Sequence, residues 1–103
     1  MINEMKIKDL IKELEKLHPD DPRIKDYWEQ LTKEMSISEA EAIEFISNCN
    51  EHEVYWLSAI FEDVSLNLQS RRFIDVLKEI QKKYPQLDLQ MDIMYAEMSL
   101  NCS

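Results

Sequence analysis

The sequence predicts an all-α fold of about six short helices, packed as a compact bundle or as a short solenoid-like stack of helix pairs. Three observations carry that expectation. Apolar residues recur at intervals of three and four along most of the 103 residues. Glycine is absent, which removes the usual residue for primed hairpin turns and phosphate-cradling loops. The segments are punctuated instead by Pro19, Pro22 and Pro85 and by Ser, Asn and Asp residues suited to capping helices. The hydrophobic fraction of 45% is ordinary. A chain of this length buries about two thirds of the surface its unfolded form exposes, enough for one core. A single helical domain over 1–103 is expected.

The first helix is expected over 3–17, where Ile7, Leu10, Ile11, Leu14 and Leu17 mark one apolar face. His18-Pro19-Asp20-Asp21-Pro22 ends it, because proline disfavours helical geometry in the residue before it. Asp21 then suits an N-cap and Pro22 a first helical position. They open a second helix over 22–35, with Ile24, Tyr27, Trp28, Leu31 and Met35 turned inward. Ser38-Glu39-Ala40-Glu41 reads as a capping box. It starts a third helix that buries Ala42, Phe45, Ile46 and Cys49, with Ile43 alongside, and Asn48-Cys49-Asn50 closes it.

A fourth helix is expected, unbroken, over 51–68. Leu57, Ile60, Phe61, Val64 and Leu68 share one arc of its wheel, with Val54 at the edge. Tyr55, Ala59, Glu62, Asp63 and Leu66 lie on the other side. Ser70 caps a fifth helix over 71–84, packed through Phe73, Val76, Leu77, Ile80 and Tyr84, and Pro85 stops it. In the last segment Leu87, Leu89, Met91 and Ile93 alternate with Asp88, Gln90 and Asp92, a strand signature. No other segment offers a partner strand, and a lone strand leaves its backbone unsatisfied. A helix capped by Asp88, with Ile93, Ala96, Glu97 and Leu100 on helical spacing, is expected instead.

Charge is distributed unevenly along these elements. Between Lys33 and Arg71 there is no Lys or Arg, while Glu34, Glu39, Glu41, Glu44, Glu51, Glu53, Glu62 and Asp63 supply -8 of the formal net charge of -9. A one-signed field attracts a basic partner and repels nucleic acid and anionic membrane. Mixed signs would keep the protein soluble equally well, and both flanks use them, so the gap points to a binding role. Tyr55, on the polar side near Glu62, adds a residue type enriched in binding hot spots, and exposed Leu66 extends the patch. Trp56 sits at the boundary of the faces and is expected to close the edge of the core. Arg71 and Arg72 are expected to pair with Asp75, or with Glu62 and Asp63.

Catalytic and metal chemistry find no support in the sequence. His18 and His52 are expected at the surface, and no His-x-x-x-His, Cys-x-x-Cys or calcium loop is present. Cys49 falls on a buried stripe, and the serines have no recognisable base partner. Glu62 and Asp63 diverge on a helix rather than facing each other across a cleft. No cofactor and no enzyme activity are expected. Cys49 and Cys102 read as reduced thiols. The opening Met1–Asp9 mixes charge with short apolar runs, unlike a secretory signal, and no apolar run approaches the ~20 residues that span a bilayer. A soluble cytoplasmic protein is expected.

The run Glu53-Val54-Tyr55-Trp56-Leu57-Ser58-Ala59-Ile60-Phe61-Glu62-Asp63-Val64-Ser65, with Phe73-Ile74-Asp75-Val76-Leu77 and Lys83-Tyr84-Pro85, resembles small acidic immunity proteins of bacterial contact-dependent inhibition and other polymorphic toxin systems. The similarity covers about the C-terminal half and rests on a helix pattern. It implies neutralisation of a cognate toxin by tight binding. Many such toxins are basic nucleases whose nucleic-acid groove an acidic partner can cover. The sequence reading is therefore an immunity protein that contacts a basic toxin domain through Glu44, Glu51, Tyr55, Glu62, Asp63 and Leu66. The alternative is a non-enzymatic adaptor or scaffold that binds a partner helix.

Overall fold

A computed structural model of the chain describes residues 2–100. Among the described residues there are seven α-helices, one 3-10 turn and no strand. Helix α1 (Glu4–Lys16) starts where Asn3 Oδ1 accepts from the Lys6 amide at 3.0 Å, and it buries Ile7, Leu10, Ile11 and Leu14. Helix α2 (Ile24–Met35) starts two residues later than expected. Asp21 caps the preceding turn instead of the helix: its carboxylate accepts from the Arg23 amide at 2.9 Å and pairs with the Arg23 guanidinium at 2.8 Å. That guanidinium holds the Asp21 carboxyl down at about 2.

Helix α3 (Glu39–Ser47) is capped by Ser38, whose Oγ accepts from the Glu41 amide at 3.3 Å. The Glu41 carboxylate accepts from the Ile2 amide at 3.1 Å. The reciprocal capping box forms one helix later, between Asn50 and Glu53, and opens α4 (Glu51–Leu57).

The expected single helix over 51–68 is broken. A 3-10 turn at Ser58–Ile60 separates α4 from α5 (Phe61–Leu68). Ile60 sits at φ -113°, ψ 7°, outside helical geometry, and Ser58 Oγ donates to the Tyr55 carbonyl at 2.7 Å. The bend lets α4 rest on α1 while α5 packs on α2 and on the last helix. Burial of Ile60, Phe61 and Val64 on two different neighbours offsets the lost helical hydrogen bonding.

A left-handed Gln69 (φ 49°, ψ 48°) turns the chain from α5 into α6 (Arg71–Lys83). Its side-chain amide donates to the carbonyls of Leu66 at 3.0 Å and Ser99 at 2.9 Å. Ser70 caps α6 as expected, accepting from the Phe73 amide at 3.0 Å.

The ambiguous last segment is helical: α7 covers Gln90–Met98. Its N-cap is Leu89, not Asp88. Leu89 is buried, and its amide donates to Gln81 Oε1 at 2.8 Å, while Gln81 Nε2 donates to the Leu87 carbonyl at 2.7 Å. A side chain of α6 thus binds the connecting loop and sets where α7 begins.

The tightest packing joins α5 to α7, followed by α3 to α6 and α6 to α7. The closest pairing, α5 with α7, and that of α3 with α6 join helices that are not consecutive in the chain, as in a bundle. The radius of gyration, 12.9 Å, matches the ~13 Å of a compact chain this long. Phe61, Phe73, Leu57 and Leu77 lie at the centre of the core, and Ser65, fully buried, donates to the Ala96 carbonyl at 2.7 Å.

One expected core residue is displaced. Trp28 lies at the margin of the α2 stripe and is 37% exposed. Beside it stand Lys25, Glu29, Thr32 and Lys33 of α2, with Asp63 and Leu66 of α5 opposite. Leu66 is the one large apolar side chain among them, and it too faces outward. The indole therefore forms the wall of a groove instead of joining the core.

Candidate functional site

The acidic run from Glu34 to Asp63 is largely committed within the fold. Glu34 is buried, accepts from the Asn3 amide at 2.8 Å and lies 3.8 Å from Lys6 Nζ. Glu41 holds the Ile2 amide, and Glu53 accepts from the Asn50 amide at 3.0 Å. Glu39 pairs with Arg72 at 3.6 Å, so it does have a neighbouring cation. Glu51 accepts from the Gln86 side chain. Glu44, Glu62 and Asp63 make no side-chain hydrogen bond or ion pair with any described residue. The absence of cations along the chain is therefore not an absence in space.

The two arginines that end the gap are engaged elsewhere than Glu62 and Asp63. Arg71 reaches Glu97 at 2.7 Å and Asp75 at 3.9 Å, and Arg72 reaches Glu39. Lys78, 3.2 Å from Glu97, joins Arg71 in holding that carboxyl below its usual range. Asp92 is pushed the other way, by burial and then by the nearby Asp88 charge.

Glu62 and Asp63 occupy the first turn of α5, where the helix dipole favours acidic side chains. Asp63 and Leu66 line a groove of about 600 Å³ between α5 and α2, facing Trp28, Lys25 and Lys33. Leu66 is 52% exposed. The groove thus offers two apolar walls and charges of both signs.

The other candidates lie apart from this groove. Tyr55 is exposed on α4, edge-on to half-buried Trp56 at 5.7 Å, and His52 approaches the same indole at 6.4 Å. The His52 ring also contacts Glu15 of α1. Because the helix breaks at Ser58–Ile60, one wheel does not relate Tyr55 to Glu62. Glu44 borders a small hollow with Ile2, Glu4, Glu41 and Phe45, and Glu51 lies against Gln86. Of the six sequence candidates, Asp63 and Leu66 line one groove with Glu62 beside them in sequence; Glu44, Glu51 and Tyr55 stand on other elements.

Sequence reasoning missed two features. Glu34 looked like part of the charged face, yet it anchors the N-terminal segment; nothing in its spacing distinguishes it from the other glutamates. The outward side of α7 carries Met91, Met94, Tyr95 and Met98, all exposed. Its signal was the weak amphipathicity of the segment Gln90–Met98.

Cys49 is free and buried, and burial pushes its thiol up to about 12, so the nucleophilic thiolate is scarce at neutral pH. Cys102 lies outside the described residues. Among the described residues no cluster of three or more His, Cys, Asp or Glu side chains could hold a metal ion, and no helix is long and apolar enough to cross a membrane. Comparison with protein-family models, curated proteins and solved structures gave no match.

Proposed function

We propose that this protein is an immunity protein: a stoichiometric inhibitor that binds a basic toxin domain, with a nuclease as the favoured class, in the cytoplasm of a bacterium. The observation that carries the reading is the state of Glu62 and Asp63. Most carboxylates of the acidic segment are engaged in capping, pairing or anchoring. These two have no such partner among the described residues, and they stand in the first turn of a helix beside a groove walled by Trp28 and Leu66. Free carboxylates steer a basic partner, and a neighbouring aromatic wall gives it something to bury.

The test is capture of the partner from native lysate with tagged protein at low and high salt, followed by association kinetics with the purified partner. A single basic protein held one to one is expected. Glu62→Lys with Asp63→Lys should slow association by about tenfold at low salt and flatten its salt dependence, as expected for steering charges. Unchanged kinetics in that variant would remove this surface from the reading.

The adaptor alternative draws on the same groove. Its apolar walls suit an amphipathic partner helix. In that case Trp28→Ala would weaken binding strongly, and salt would matter little.

A further inference from the structure

The outer face of α7 departs from the usual order of a surface helix. Its inner side buries Ile93 and Ala96, while Met91, Met94, Tyr95 and Met98 on the outer side are 50%, 42%, 44% and 70% exposed. On a helical wheel these four fill the outward arc, and the charged residues Asp92 and Glu97 stand at its two margins. A helix that is apolar on both sides is ordinarily covered on both. Thioethers suit a surface that adapts to its partner. The exposed strip is on the order of 400 Å², the size of the largest patch on a typical monomer.

We propose that this strip is covered by α7 of a second copy of the chain, packed antiparallel about a two-fold axis. The strip reads nearly the same in both directions: Met91, then Met94 and Tyr95, then Met98. Turning one copy end for end sets Met91 against Met98 of the second copy, with Met94 and Tyr95 at the axis. Charge along the α6 margin complements this arrangement. Lys82 and Asp88 line the α6–α7 groove at the start of α7, and Arg71 and Glu97 meet near its end. An isologous pair brings Asp88 towards Arg71 of the second copy and Lys82 towards Glu97 of the second copy. The Asp92 margin meets acid in either sense, its own counterpart in the antiparallel pair and the Glu97 margin in a parallel one, so the sense is set by the α6 margin. The strip is smaller than the ~800 Å² per partner of a standard interface, so a dissociation constant in the micromolar range is expected. None of its four residues lines the α2–α5 groove, and the inference stands independently of the toxin-binding reading.

Sedimentation equilibrium of the full chain tests it. A monomer–dimer equilibrium is expected, and Met94→Lys should raise the dissociation constant at least about 30-fold, as loss of a central contact does, with an unchanged circular dichroism spectrum. Orientation is read by cross-linking in a Cys102→Ser background. Tyr95→Cys should form a disulfide with the same position of the second copy, and Met91→Cys should cross-link with Met98→Cys when the two are mixed but not with itself. A monomer at every concentration, or a dimer indifferent to Met94→Lys, overturns the proposal. Ready self-cross-linking of Met91→Cys overturns its antiparallel sense.

Discussion

Leu77 and Phe61 are 0% and 2% exposed and touch the core from different helices. Truncating either to Ala removes burial and leaves a cavity, so urea denaturation should show a loss of roughly 2–5 kcal/mol for each. Glutamates separate into two classes that sequence does not distinguish. Glu34→Ala strands the Asn3 amide and removes the partner of Lys6, which should destabilise by about 1–3 kcal/mol. Glu44→Ala, at an exposed side chain without a described partner, should stay within about 0.5 kcal/mol of the parent in the same measurement. Equal effects at the two positions would contradict the structural division between them.

At the scale of elements, the tie between α6 and α7 converges on Glu97. Lys78 and Arg71 lower its folded pKa, so the stability it contributes is present above the ordinary carboxylate range and is lost as pH falls through the lowered value. Glu97→Gln should therefore shrink the drop in melting temperature between about pH 6 and pH 3. Asp92 has the opposite sign, since burial raises its pKa. Its charged form is disfavoured in the fold above that raised value, so Asp92→Asn should raise the melting temperature near neutral pH. Helix positions were legible in the sequence wherever apolar spacing and a serine cap agreed, as at Ser38 and Ser70. They were less legible where tertiary contacts decided. The break at Ser58–Ile60 serves two packing partners, and the start of α7 is set by Gln81 from a different helix. The groove was half legible: Leu66 and Asp63 were placed outward by the wheel, but Trp28 carries a core-type signal and only the polar neighbours on α2 turn it outward.

For the whole molecule, a net charge of -9 opposes compaction, while the ion pairs that relieve it are mostly exposed and individually weak. Screening should act more on the sum than on the pairs. The melting temperature is expected to rise between about 20 mM and about 500 mM NaCl. A fall would mean that the pairs around Glu39 and Glu97 outweigh the general repulsion. The surfaces of the bundle differ in character: the α2–α5 groove is mixed in charge with apolar walls, and the α7 strip is apolar alone.

Gln69 has an evolutionary consequence. It occupies a left-handed backbone conformation in a chain without glycine, and such a conformation disfavours a side chain by roughly 1–2 kcal/mol. Its amide recovers part of that through the carbonyls of Leu66 and Ser99. Glycine at this position would relieve the backbone and forfeit the side-chain hydrogen bonds, two changes of opposite sign. Position 69 is therefore a place where the backbone already suits glycine, and where its entry into this lineage would trade side-chain hydrogen bonds for conformational relief.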